Sequence, residues 1–142
     1  MKTETRIVFH AVDAAAAAVY DYARQRENMP RWAAGLLTNI GEADGAWFTD
    51  TPGGRIRIAM APRNEFGVLD HVVTMPDSFA THNAMRVTPV GTGSLLHFVV
   101  LRPAGATDAE FERDCGLVAQ DLETLGQLVE TAVRGPGPGT VA

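Results

Sequence analysis

Lysine is nearly missing from this sequence, cysteine occurs once, and no long apolar run is present. The single lysine, Lys2, and the scattered arginines are outnumbered by 17 acidic residues, for a net charge of −5. Nucleic-acid affinity rests mainly on cations neutralising phosphates, so a nucleic-acid partner is not expected. The lone Cys115 cannot form an internal disulfide and falls on the apolar stripe of a predicted helix, where an inert buried thiol is expected. Apolar stretches such as Ala14 to Tyr20 fall well short of the roughly 20 residues a spanning helix needs, which excludes a membrane span. The opening Met1-Lys2-Thr3-Glu4-Thr5-Arg6 leads into alternating residues rather than an apolar secretory core, so a cytoplasmic location is expected.

Three kinds of site are missing as well. His10, His71, His82 and His97 show no spacing typical of zinc, and with one cysteine no metal site is expected. Gly91-Thr92-Gly93 is a hairpin turn, and Pro52-Gly53-Gly54 lies between strands with no helix following, so neither is a phosphate loop. No nucleophile elbow is present, and no cofactor is expected.

What is present fits one domain over residues 1–134, followed by a Gly/Pro tail at 135–142 that has nothing to bury and is expected to be disordered. Thr5 to Val12 alternates Ile7, Phe9 and Ala11 with polar neighbours, as a half-buried strand does. Asp13 offers an N-cap to a helix running from the alanine run to about Arg24. Asn28 offers a cap to a second short helix with Pro30 in its first turn, carrying Trp32, Leu36 and Leu37 on or near its apolar side. Six segments then read as an antiparallel meander: Leu37 to Glu42, Ala46 to Thr51, Arg55 to Ala61, Phe66 to Met75, Ala80 to Val90 and Ser94 to Leu101, separated by Gly, Pro, Asn and Asp turns. Thr107-Asp108-Ala109-Glu110 is a capping box. After it, Phe111, Cys115, Val118, Leu122, Leu125, Val129 and Ala132 recur at helical spacing, ending at Arg134 and Gly135.

The fold class expected is therefore α+β: a seven-stranded curved antiparallel sheet wrapped around a long C-terminal helix, with two short helices after the first strand. A sheet that wide twists and curls. A helix about 10 Å across cannot fill the resulting curve, so an apolar space is expected between them.

This order of elements, with Val12-Asp13-Ala14-Ala15-Ala16-Ala17-Ala18-Val19-Tyr20-Asp21-Tyr22, Glu27-Asn28-Met29-Pro30-Arg31-Trp32 and Phe66-Gly67-Val68-Leu69-Asp70-His71, resembles the START-like helix-grip superfamily, which includes the SRPBCC and polyketide cyclase/dehydrase families. The resemblance covers roughly Thr5 to Arg134. It implies a helix-grip fold with an apolar pocket for a lipid, polyketide or hormone, in families that contain both enzymes and carriers. Members commonly open the first helix with proline, where Val12-Asp13 stands here.

A hairpin centred on Asp77 makes His71 face Asn83 across two strands, with Asp70 opposite Ala84 and flanked by His82 and Arg86. Leu69, His71, Val73, Asn83, Met85 and Val87 are then expected on the cavity wall with Phe98 and Val100, and Asp70, His82, Arg86 and His97 on the outer face. A slip of one residue would exchange the two sets. His71 and Asn83 are read either as a polar spot that orients a ligand carbonyl or hydroxyl, or as a buried pair bonded only to each other. His71 is also the candidate general acid or base. Trp32, Met60, Met85 and Phe98 complete the candidate ligand-binding set, with Trp47 a further candidate for the mouth or floor. Tyr20 and Tyr22 either present hydroxyls or sit on the surface of the first helix. Gly116 and Gly126 are costly in a helix and suggest close approach of sheet or ligand.

The function expected is a carrier or sensor for a small hydrophobic, lipid- or polyketide-like molecule, acting as a monomer or homodimer. The alternatives are a polyketide cyclase or dehydratase using the same cavity, and an interaction protein with a collapsed pocket.

Overall fold

The computed structural model describes residues 2–33 and 39–135. Seven strands, β1 (Thr5–Val12), β2 (Gly41–Ala43), β3 (Ala46–Thr51), β4 (Gly54–Met60), β5 (His71–Thr74), β6 (Ala80–Val90) and β7 (Gly93–Leu101), form one antiparallel sheet in the order β1-β7-β6-β5-β4-β3-β2. The helices are α1 (Ala16–Ala23), α2 (Met29–Trp32) and the 27-residue α3 (Asp108–Arg134), with a 3-10 turn over Arg26–Asn28. This is the helix-grip α+β architecture.

Consecutive strands from β2 to β7 are neighbours, as a meander requires, whereas β1 pairs with β7 from Thr5↔Leu101 to Val12↔Ser94. The first strand therefore lies beside the last, at the edge of the sheet opposite β2. Along β1 the faces are the reverse of those expected. Val8 and His10 are partly and Val12 fully buried, while Ile7 and Phe9 are 62% and 68% exposed and Ala11 is exposed with them. The register with β7 and the packing of Val12 and His10 on Gly126 turn that other face toward α3. The core lies between the inner sheet face, α1, α2 and α3, and joins Val12, Val19, Ile58, Met85, Leu96, Leu122 and Leu125.

The capping box at the start of α3 is complete: Glu110 N–H donates to Thr107 Oγ1 at 3.1 Å and Thr107 N–H to Glu110 Oε2 at 3.3 Å. Arg6 clamps the same turn with two bonds to Glu112, at 2.8 and 2.6 Å. Further along, a Cβ on Gly126 would stand 3.0 Å from the His10 ring and 3.2 Å from Val12, so the missing side chain lets helix and sheet approach closely. Gly116 faces open space. From Thr131 to Gly135 every residue is exposed, Ala132 among them, although the periodicity put it on the buried stripe.

Three local expectations are corrected. Asp13 does not cap α1, which starts after an extended Ala15 and has no side-chain cap. Asp13 N–H donates to Glu130 Oε2 at 2.7 Å and Ser94 Oγ donates to Ala14 O at 2.8 Å, so bonds to distant parts of the chain hold residues 13–14 outside the helix. Asn28 likewise makes no cap, and its Nδ2 donates to Tyr22 O at 3.1 Å. The strand expected over Phe66 to Met75 shortens to His71–Thr74. Asn64 accounts for part of this, because its Oδ1 accepts from Phe66 N–H and Val68 N–H and holds a turn. Gly67 accounts for the rest, with φ of 71° and a carbonyl that accepts from Val87 N–H. The expected strand start near Leu37, the side chains of Leu36 and Leu37, and the tail from 136 onward lie outside the described residues.

Candidate ligand-binding site

The register decides which polar groups face inward. His71 pairs with Asn83, Val72 with His82 and Val73 with Thr81. The same offset persists beyond β5, where Leu69 N–H donates to Met85 O. Asp70 therefore faces outward, pairing with Arg86 at 3.2 Å and standing 3.6 Å from His82. The alternation that buries Val87, Met85, Leu69 and Leu96 at 1% exposure or less leaves no freedom for a slip.

Between the sheet and α3 lies a cavity of about 550 Å³, within the range of small-molecule sites. Strands β4 to β7 supply Ile56, Ile58, Val73, Phe98 and Val100, α2 supplies Met29 and Trp32, and α3 supplies Leu117, Val118 and Leu122. Leu101 and Leu117, at 40% and 51% exposure, mark where the lining meets solvent. A second hollow of about 710 Å³ runs outside this grip, between α1 and the loop before β5. There the Tyr20 hydroxyl is already engaged, accepting from Asn64 N–H at 2.8 Å, and Phe66 lies 84% exposed.

Of the sequence candidates, Trp32, His71, Asn83 and Phe98 line the inner cavity. Met85 lies at 1% exposure in the core, and Met60 is half-buried opposite His71 at the end of β4; neither is on the lining. Trp47 is partly buried on β3 against the core. Tyr20 is buried, whereas Tyr22 packs partly against the core.

His71 and Asn83 do not bond to each other among the described residues. His71 Nδ1 lies 3.0 Å from Leu69 O. A carbonyl only accepts, so Nδ1 carries the hydrogen and Nε2 of the neutral ring is left as an acceptor. Burial lowers the His71 pKa from its ordinary value, outweighing the Leu69 carbonyl and Asp70, so the neutral ring is the form present at neutral pH. Phe98 fixes the ring edge-on at a centroid distance of 6.0 Å.

Two further polar features were not read from the sequence. Asp121 reaches the lining from α3, and burial alone pushes its carboxyl pKa up to about 6. Asp114 and Arg113 join it on the same lining. Residues 114, 117 and 121 flank the apolar stripe at spacings of three and four, and that flank was the signal available. The other feature is Trp32, only 4% exposed, whose indole N–H has no acceptor among the described residues. Leaving such a donor unpaired costs roughly 1–3 kcal/mol.

No protein-family model and no curated protein matches the chain. Solved structures do. The Aha1 dimer from Colwellia psychrerythraea superposes with a TM-score of 0.70 at 13% identity, over 89% of this chain and 96% of that one. DynU16, a protein in the dynemicin biosynthetic locus, gives 0.68 at 13% identity, over 90% of this chain and 48% of that one. Ara h 8.0201 gives 0.63 at 11% identity, over 90% and 98%. At such identities the likeness is one of fold. Among the described residues no helix is long and apolar enough to cross a membrane, and no cluster of three or more metal-ligating side chains occurs.

Proposed function

We propose that this chain is a single-domain carrier or sensor that sequesters a small hydrophobic molecule, lipid- or polyketide-like, between its sheet and α3. The observation that carries this reading is the 550 Å³ cavity, walled by aliphatic and aromatic side chains with a few polar groups set among them. Apolar burial would drive binding at roughly 25 cal/mol per Å² of surface removed from water. His71, with its free Nε2, and Asn83 opposite it would orient the ligand. A cytoplasmic setting suits the free, buried Cys115. The chain would act as a monomer or a homodimer, the latter in line with the dimeric Aha1 structure.

Titration with the neutral fluorophore N-phenyl-1-naphthylamine tests the proposal. Saturable binding is expected, and Val73→Trp, which fills the cavity from β5, is expected to weaken it at least about tenfold with the circular dichroism unchanged. Absence of saturable binding by this probe, and of any apolar ligand retained in native mass spectrometry, would defeat it.

One observation favours a second reading, a polyketide cyclase or dehydratase. His71 on the sheet and Asp121 on the helix bring a neutral imidazole and a carboxyl that protonates near pH 6 to opposite walls of one cavity. Such a pair suits general base and general acid roles. Full turnover of a polyketide substrate by both His71→Gln and Asp121→Asn would remove it.

A further inference from the structure

The two edges of the sheet differ in what they offer a partner. At one edge β2 has three residues, whereas β1 at the other has eight, with no proline, no lysine and an unbroken register against β7. Short strands, prolines, lysines and bulges are what blunt an edge, so β1 keeps its outer row of backbone groups usable. Arg102 N–H donates to Glu4 O, one step beyond the pair Thr5↔Leu101. Bonded and non-bonded pairs alternate along an antiparallel ladder. Arg6, Val8 and His10 therefore bond toward β7, and Thr5, Ile7, Phe9 and Ala11 turn N–H and C=O to the open edge.

Beside this edge runs α3. Arg6 bonds Glu112, a Cβ on Gly126 would meet His10 and Val12, and Glu130 accepts from Asp13 N–H. At about 3.6 residues per turn these three helix positions share one side with Glu123, which stands between them along the strand. Arg6 is held by Glu112, and Arg102 by Glu4 and Asp108. Neither Glu123 nor Glu130 has an arginine or lysine partner among the described residues. The edge is thus apolar on its outer face, where Ile7 and Phe9 are exposed, and acidic on the side of α3.

A second copy of this chain fits the edge poorly. Two β1 strands paired about a twofold axis would put both α3 helices, each about 10 Å across, on the same side of strands about 4.8 Å apart. Their glutamates would also face one another.

We propose that the open edge of β1 docks an extended basic segment of a partner protein as an eighth strand. Its apolar side chains lie on the outer face beside Ile7 and Phe9, and its lysines or arginines point toward Glu123 and Glu130. The net charge of −5 favours the approach of such a segment. This surface is separate from the cavity and stands whether or not the carrier reading does.

The test is fluorescence anisotropy of a dye-labelled eight-residue peptide of alternating lysine and valine, beside its glutamate and valine counterpart. The lysine peptide is expected to bind saturably and at least about tenfold more tightly than the glutamate one. Phe9→Pro removes an outward N–H while sparing the ladder to β7, and should weaken binding at least about tenfold with the circular dichroism unchanged. Glu123→Lys, on an exposed position, should weaken it severalfold and narrow the preference for lysine, and it decides the matter if Phe9→Pro does not fold. Absence of saturable binding, equal binding of the two peptides, or undiminished binding by folded Phe9→Pro would overturn the proposal. A homodimer in sedimentation that Phe9→Pro dissociates would overturn it in favour of a second copy at this edge.

Discussion

Asp121 places a carboxyl where its charged form is poorly solvated, and that has a consequence for stability. Its pKa in the folded protein is raised by burial from 3.8 to about 6. The folded state therefore holds the proton more tightly than the unfolded one, so the contribution is fully present below pH 3.8 and is lost as pH rises through about 6. The group is half-buried, and water screens much of the effect, so the loss is on the order of 1 kcal/mol. Asp121→Asn is expected to raise the urea midpoint at neutral pH and leave it nearly unchanged near pH 3.8, measured by chemical denaturation across that range. A midpoint lowered at neutral pH would mean that the carboxylate has a partner in solution. His71 behaves in the opposite sense. Its lowered pKa favours the neutral ring, so its contribution is present above its ordinary 6.5 and lost as pH falls below it. The His71–Asn83 pairing was legible because Asp77 and its neighbours announce the hairpin. Asp121 was not, since a single acid on a helix flank looks the same whether it meets solvent or a cavity.

At the level of elements, α3 is the best place to separate local from tertiary contributions. Gly116 is exposed, and a Cβ there would meet nothing within 4 Å, so Gly116→Ala should stabilise by about 0.5–1 kcal/mol through helix propensity alone. Thr107→Ala removes the bond from Glu110 N–H and should cost about 1 kcal/mol. Thermal melts of the two single variants check both signs. This helix was readable nearly to the residue because its signals, a capping box and an apolar period, are local. The caps expected of Asp13 and Asn28 failed for a reason local reading misses. Glu130 and the Tyr22 carbonyl engage the Asp13 backbone N–H and the Asn28 side-chain amide and so fix where both residues stand, and the first of these partners comes from the far end of the chain. The strand expected from Phe66 was cut short by Asn64, whose side chain bonds backbone that a strand would otherwise use.

For the whole molecule, a ligand that binds only the folded protein adds to its stability. Present at a hundredfold its dissociation constant, it contributes about 2.7 kcal/mol. An upward shift in melting temperature that grows with the concentration of N-phenyl-1-naphthylamine is the expected outcome, and Val73→Trp should abolish that growth. The architecture itself was legible from element order, because a wide meander and one long amphipathic helix have few ways to bury their apolar faces together. The placement of Met60 and Met85 away from the cavity was not legible. Inward alternation separates core from solvent, but it does not separate packed interior from a hollow beside it.

The pairing of β1 with β7 also dictates a timetable. Thr5 meets Leu101, so β1, the first of the seven strands to be made, has no mate until almost a hundred residues later. At roughly 5–20 residues per second that delay is on the order of ten seconds. Throughout it, Ile7 and Phe9 hang on an unmatched ribbon, a natural foothold for a chaperone and a hazard wherever many nascent copies crowd together.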